Sequence, residues 1–195
     1  APEELGFGDR KTRDEYERNE YSSCHTISTY LLHMGQTMAG HRVYETMRAI
    51  DYLTTRPEVD AERIGCMGIS GGGLITAFAA ALDERIRAAV VSGFVNTFRA
   101  SILSVFHCVD NYIPGLHRIA EMPDIVALIA PRPLLMEAGV RDPIFPIEAA
   151  KSAYADIRKT YRLLGAEDRL ACDIFEGEHE INGVLAYPWL AEQLK

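Results

Sequence analysis

The chain has 195 residues, 48% hydrophobic and 25% charged, with a formal net charge of −8. That length suits one domain burying roughly 70% of its unfolded surface. The acidic balance argues against a nucleic-acid backbone or an anionic membrane surface as partner. No run of about 20 apolar residues and no basic-plus-apolar leader stands out. The four cysteines, Cys24, Cys66, Cys108 and Cys172, lie far apart, with Cys66 and Cys172 in predicted core strands. This is the pattern expected of reduced thiols in a cytoplasmic protein, with a Cys24–Cys108 bridge left open. The first residue is Ala1 rather than methionine, read as a removed initiator or a trimmed longer product.

In chain order, residues 1–23 are charged and mixed, turn at Gly6 and Gly8, and read as a surface connection. A helix is expected from about Thr26 to Met38, broken by Gly40. Val43, Met47, Ile50 and Leu53 then recur at spacings of three and four, the period of one apolar helix face. Arg56-Pro57 ends that helix, because proline disfavours helix before itself. Ile64 onward is nearly continuously apolar, as a parallel strand covered on both faces should be. An alanine-rich helix follows over Gly72 to Leu82, then a strand over Ile86 to Ser92. Residues 93–128 are the least regular and read as a lid or pocket wall. Leu134 to Ala138 is a third strand. Pro146 starts a helix patterned by Ile147, Ala150, Tyr154, Ile157 and Tyr161, and Gly165 stops it. Leu170, Cys172 and Ile174 alternate with Asp173 in a fourth, more edge-like strand. A last helix covers about Val184 to Lys195. Alternating strands and helices call for a parallel sheet with helices on both faces.

The junction of the first strand and its helix carries the chemistry. Gly68-Ile69-Ser70-Gly71-Gly72 fits G-x-S-x-G, in which a serine stands on a sharp strand-to-helix turn. Such a turn is strained and crowded, so glycine is expected at both flanking positions to remove colliding Cβ atoms. The helix opening at Gly71 offers a free N–H and the positive end of its dipole, a candidate oxyanion donor. Chance alone puts the pattern in roughly one chain in fifteen of this length; the strand before it and the helix after it make the difference.

A serine hydroxyl needs a base, and a histidine base needs a carboxylate to orient it. In a parallel sheet these groups belong at the carboxyl ends of strands. Asp142 follows the third strand, with Pro143 biasing it toward extended backbone; His179 follows the fourth. Alone, Asp142 reads equally well as a turn or capping residue, and His179 as a solvated loop histidine. Together they complete the order serine, acid, histidine. Glu137 and Glu148 are fallback acids.

From about Val43 onward the chain resembles α/β-hydrolases of the branch containing acetyl xylan esterases and dienelactone hydrolase-like proteins. The matching stretches are Asp60 to Gly65, Gly68 to Gly73, Ala130-Pro131-Arg132-Pro133-Leu134-Leu135, Asp142-Pro143 and Glu176-Gly177-Glu178-His179. The resemblance implies ester hydrolysis through an acyl-enzyme, with Ser70 attacking, His179 moving the proton and Asp142 orienting it. It implies no metal and no cofactor, and a small-molecule ester as partner. One departure stands out. Such folds place about four strands before the nucleophile turn, and a loop there supplies a second oxyanion N–H. Nothing in residues 1–63 looks like them, so N-terminal strands are expected to be missing from a partial domain spanning residues 1–195. Losing one donor costs about 10²–10³ in rate. The open strand edge leaves room for self-association or for an N-terminal segment to complete the sheet.

Phe106, His107, Cys108 and Tyr112 are candidate substrate contacts; their bland alternative is packing beneath the irregular segment. Cys24-His25 and His107-Cys108 match no standard zinc spacing. His33, His41 and His117 read as surface or half-buried. The leading expectation is a serine carboxylesterase acting on small, acetyl-type esters. Its rivals are an exopeptidase-like serine hydrolase and a catalytically inert hydrolase-like binding module.

Overall fold

A computed structural model describes residues 1–195. The elements run α1 (Arg13–Glu17), α2 (Cys24–His33), α3 (Met38–Leu53), β1 (Ile64–Ile69), α4 (Gly71–Leu82), β2 (Ile86–Ser92), α5 (Met122–Ala127), β3 (Leu134–Gly139), α6 (Ile147–Leu163), β4 (Leu170–Phe175) and α7 (Ala186–Gln193). The four strands form one parallel sheet in the order β1-β2-β3-β4. β4 lies at an edge, as its alternation implies. β1 lies at the other edge, paired only with β2.

This order decides where the helices go. A parallel connection between neighbouring strands is right-handed, so a sheet built steadily in one direction collects its crossover helices on one face. Ala89, Val91, Leu134 and Met136 point to that face and join α3, α4, α5 and α6 in the main core. Strand side chains alternate, so Val90 and Leu135 point the other way. There they pack with Ala186, Trp189 and Leu190 of α7 and its surroundings. Helices therefore cover both faces, unequally.

Three local expectations change. Gly40 does not break a helix: it lies inside α3, where its N–H donates to the capping Thr37 hydroxyl at 3.1 Å. The break falls earlier, at Gly35 with φ +74°. Residues 1–23 are more than a connection, since Leu5 C=O accepts from the buried Arg42. Residues 93–128 contain α5, begun by a capping box in which Glu121 and Asp124 satisfy each other's backbone N–H groups. No helix is long and apolar enough to cross a membrane, and all four cysteines are free thiols.

Candidate active site

Ser70 alone makes the reversal from β1 to α4. Its backbone sits at φ 57° and ψ −118°, strain of order 1–3 kcal/mol for a non-glycine residue. Its N–H donates to Ser92 C=O at 3.1 Å, anchoring the turn to β2. A Cβ on Gly68 would run into the Gly72 carbonyl and come within 2.9 Å of Thr76 Oγ1. One on Gly73 would meet Ser92 O at 2.7 Å and the Phe94 Cβ at 2.8 Å. Gly72 has room, since the nearest atom to a Cβ there is Glu4 Oε1 at 3.9 Å. The glycines that sterics require are thus Gly68 and Gly73, not Gly68 and Gly72. The first backbone bond of α4 runs from Leu74 N–H to Ser70 C=O at 2.9 Å, leaving Gly71 N–H without a partner in the helix.

β3 and β4 end side by side. Val140 N–H donates to Phe175 C=O at 3.0 Å and Arg141 N–H to Gly177 C=O at 2.9 Å, while any Cβ on Gly139 would overlap the Glu178 carbonyl. Asp142 is buried. Its Oδ2 accepts from His179 Nδ1 at 2.7 Å, and its Oδ1 accepts the N–H groups of Ile144 and Phe145, each at 2.9 Å. Burial pushes its pKa up, but the His179 hydrogen bond and the two amides outweigh this and hold the carboxyl below its ordinary range. With a carboxylate accepting at Nδ1, that nitrogen carries the proton and Nε2 keeps its lone pair. Nε2 is buried and has no hydrogen-bond partner. Phe145 stacks on the imidazole at 5.6 Å and 13°. A Cβ on Gly93 would lie 3.2 Å from His179 Cε1 and 3.3 Å from Ile69 Cγ1, so the ring faces the residue before Ser70 across Gly93. Asp142 and His179 are in contact and stand beside the nucleophile turn, with no hydrogen bond from His179 to Ser70.

A cleft of about 590 Å³ opens at Ser70 and Gly71 and is also lined by Arg42, His107, Cys108 and Asp110. Phe106 stands on its rim, 90% exposed. Tyr112 does not line it; it faces a separate apolar cavity beside Leu32 and Phe98, with its hydroxyl donating to Ile102 C=O at 3.2 Å. His107 is buried between cleft and core, edge-on to Phe145 at 5.2 Å. Ser101 Oγ–H donates to Ile144 C=O at 2.6 Å, so at 3.0 Å the same oxygen accepts from His107 Nε2. Burial, then the nearby His179 charge, lowers the His107 pKa.

Sequence reasoning missed Arg42, the buried cation of this cleft. It pairs with Asp110 and with Glu4, the latter at 3.4 Å. It also donates to Leu5 C=O at 2.7 Å and to Cys24 Sγ at 3.1 Å. Burial opposes its charge, yet Asp110, Cys24 and Glu4 together raise its pKa. The Cys108 thiol, with Arg42, holds Cys24 down to about 6 despite burial. The Asp110 carboxylate lies 3.8 Å from where a Cβ on Gly71 would sit. No group of three or more His, Cys, Asp or Glu side chains is placed to hold a metal ion.

Comparison with known proteins gives this geometry a family. The Abhydrolase family model Abhydrolase_7 matches residues 5–170, a span that includes Ser70 and Asp142 and stops before His179. The chain is 32% identical over 173 residues to "Putative hydrolase YtaP" of Bacillus subtilis (strain 168), covering 86% of this chain and 54% of that protein. A crystal structure of a "putative acetyl xylan esterase" from Bacteroides fragilis NCTC 9343 is similar with a TM-score of 0.80 at 20% identity, over 96% of this chain and 57% of that one. A carbohydrate esterase family 15 glucuronoyl esterase from Caldicellulosiruptor kristjansonii is similar with a TM-score of 0.67 at 21% identity, over 81% and 50%. The chain thus spans about half the length of these relatives. The parallel sheet with helices on both faces is that of an α/β-hydrolase, and the match over most of its length shows that this chain belongs to the Abhydrolase family.

Proposed function

We propose that this chain carries the site of a serine hydrolase that cleaves small carboxylic esters, acetyl esters among them, through an acyl-enzyme. The observation that carries the reading is the 2.7 Å bond from His179 Nδ1 to Asp142, which leaves Nε2 as a free base beside the Ser70 turn. In this reading Nε2 takes the Ser70 proton as Oγ attacks the ester carbonyl, and Asp142 stabilises the imidazolium. The tetrahedral oxygen is held by Gly71 N–H at the positive end of α4. Collapse expels the alcohol, which leaves with the proton from His179. Water, deprotonated by His179, then releases the acid and restores Ser70. Residues 93–128 serve as the cleft wall, bringing His107 and Asp110 to it. The esterases among the similar structures favour an ester over an amide.

The test is p-nitrophenyl acetate hydrolysis by the wild type and Ser70→Ala. The expected loss is roughly 10³-fold or more, and equal turnover by both proteins sinks the reading. One observation favours a second reading, a hydrolase-like binding module: Asp110 and Glu4 place carboxylates near the α4 N-terminus, where they oppose a developing oxyanion. A fluorophosphonate that fails to label Ser70 in folded protein selects it.

A further inference from the structure

Glu137 is the most anomalous residue of the core. It lies on β3 between two paired strands and is fully buried. By alternation it shares the small face with Leu135, where an apolar residue is expected. Burying a carboxyl group there is costly unless each oxygen finds a donor. Both do. Oε2 accepts from Ser92 Oγ–H at 2.7 Å and Oε1 from Gly183 N–H at 2.8 Å.

The two donors belong to the two halves of the proposed site. Ser92 is the residue whose carbonyl receives Ser70 N–H, and Gly93 N–H returns to the Glu137 carbonyl at 2.9 Å. Gly183 lies four residues after His179 in the same loop between β4 and α7. It adopts φ +72°, and a Cβ there would run into the Tyr187 ring, so the position calls for glycine. His179 itself rests against Gly93, the neighbour of Ser92. With both oxygens so engaged, Glu137 is not the acid that orients His179; Asp142 has that contact.

We propose that Glu137 is a positioning residue, a strut that fixes the His179 loop against the nucleophile end of the sheet through Gly183 and Ser92. The inference rests on the triad reading above. Displacing a reacting group by about 1 Å costs on the order of 10²-fold in rate. Glu137→Ala should therefore lower kcat for p-nitrophenyl acetate about 10²-fold while leaving KM within about twofold. Glu137→Gln keeps the shape. Its carbonyl can accept Gly183 N–H and its amide can donate to Ser92 Oγ, so it should recover most of the lost rate. Ser92→Ala removes one tie only and should fall between them.

The structural readout is hydrogen exchange of the peptide spanning residues 176–186, measured with circular dichroism as a check on folding. Glu137→Ala should speed exchange there and leave β2 protected, and Glu137→Gln should restore it. Folded Glu137→Ala with wild-type kcat and wild-type exchange overturns the proposal. So does a loss matched by fewer fluorophosphonate-titrated sites at full activity per site, which marks general instability. A wild-type protein that fluorophosphonate never labels sinks the hydrolase reading alone; the strut is then decided by the exchange measurement.

Discussion

Single atoms govern the turn around Ser70. Gly72 and Gly73 are adjacent, yet an added methyl group meets only an ordinary 3.9 Å contact with Glu4 Oε1 at one and the Ser92 carbonyl at 2.7 Å at the other. Gly72→Ala should leave the fold intact or stabilise it by about 0.4–1 kcal/mol, through a less mobile unfolded chain. Gly73→Ala should push α4 off β2 and cost roughly 1–3 kcal/mol. Urea unfolding of the two variants checks this, and equal effects would show that the α4–β2 approach is not the constraint. The serine motif is legible in sequence because its spacing is local. Which glycine is indispensable is not, since the obstructing atoms belong to Ser92 at the end of β2 and to Phe94 just beyond it. Arg42 was hidden for a related reason: its partners Glu4, Cys24 and Asp110 come from three separate segments. Phe145, stacked on His179 and hydrogen-bonded to Asp142 through its N–H, reads in sequence only as another core aromatic.

Elements are held together by comparable long-range ties. Arg132, just before β3, donates to the carbonyls of Ala80 and Asp83 at the end of α4 and, at 2.7 Å, to Ile86 C=O at the start of β2. Its own carbonyl accepts from the Tyr161 hydroxyl of α6 at 2.7 Å. One planar guanidinium thus closes a helix C-terminus that would otherwise leave carbonyls unpaired. Arg132→Met should cost ~2–3 kcal/mol, and Arg132→Lys should recover only part of it, because one ammonium cannot span three carbonyls. Chemical denaturation of both variants tests the ranking; a lysine variant as stable as wild type would refute the fork argument. The strands themselves could be read from sequence almost to the residue, because each is a short, mostly apolar run between turn residues. Helix ends fared worse. Gly40 looks like a breaker until the Thr37 hydroxyl caps its N–H, and α5 hides in an irregular stretch because six residues are too few to show a period.

At the scale of the molecule, the steady strand order gathers Ser70, Asp142 and His179 at the carboxyl ends of β1, β3 and β4, where an open parallel sheet presents its ligands. The same packing buries titratable groups at that end and makes stability depend on pH in two windows. Burial and the His179 charge place the folded-state pKa of His107 below its ordinary value. Its contribution is therefore complete above about pH 6.5, where unfolded histidine is also neutral, and is lost as pH falls through the folded pKa. Asp142 is also depressed in the folded state, but from a carboxylate reference. Its contribution is present above about pH 4 and lost only as the solution becomes more acidic than that. Unfolding free energies measured by urea across pH should thus decline first below about 6.5 and again below about 4. His107→Gln keeps an amide donor for Ser101 and cannot titrate, so it should flatten the first decline relative to wild type and leave the second. Asp142→Asn should do the reverse. An unchanged first decline in His107→Gln would mean that the histidine buried beside the cleft is not what the fold protects from protonation.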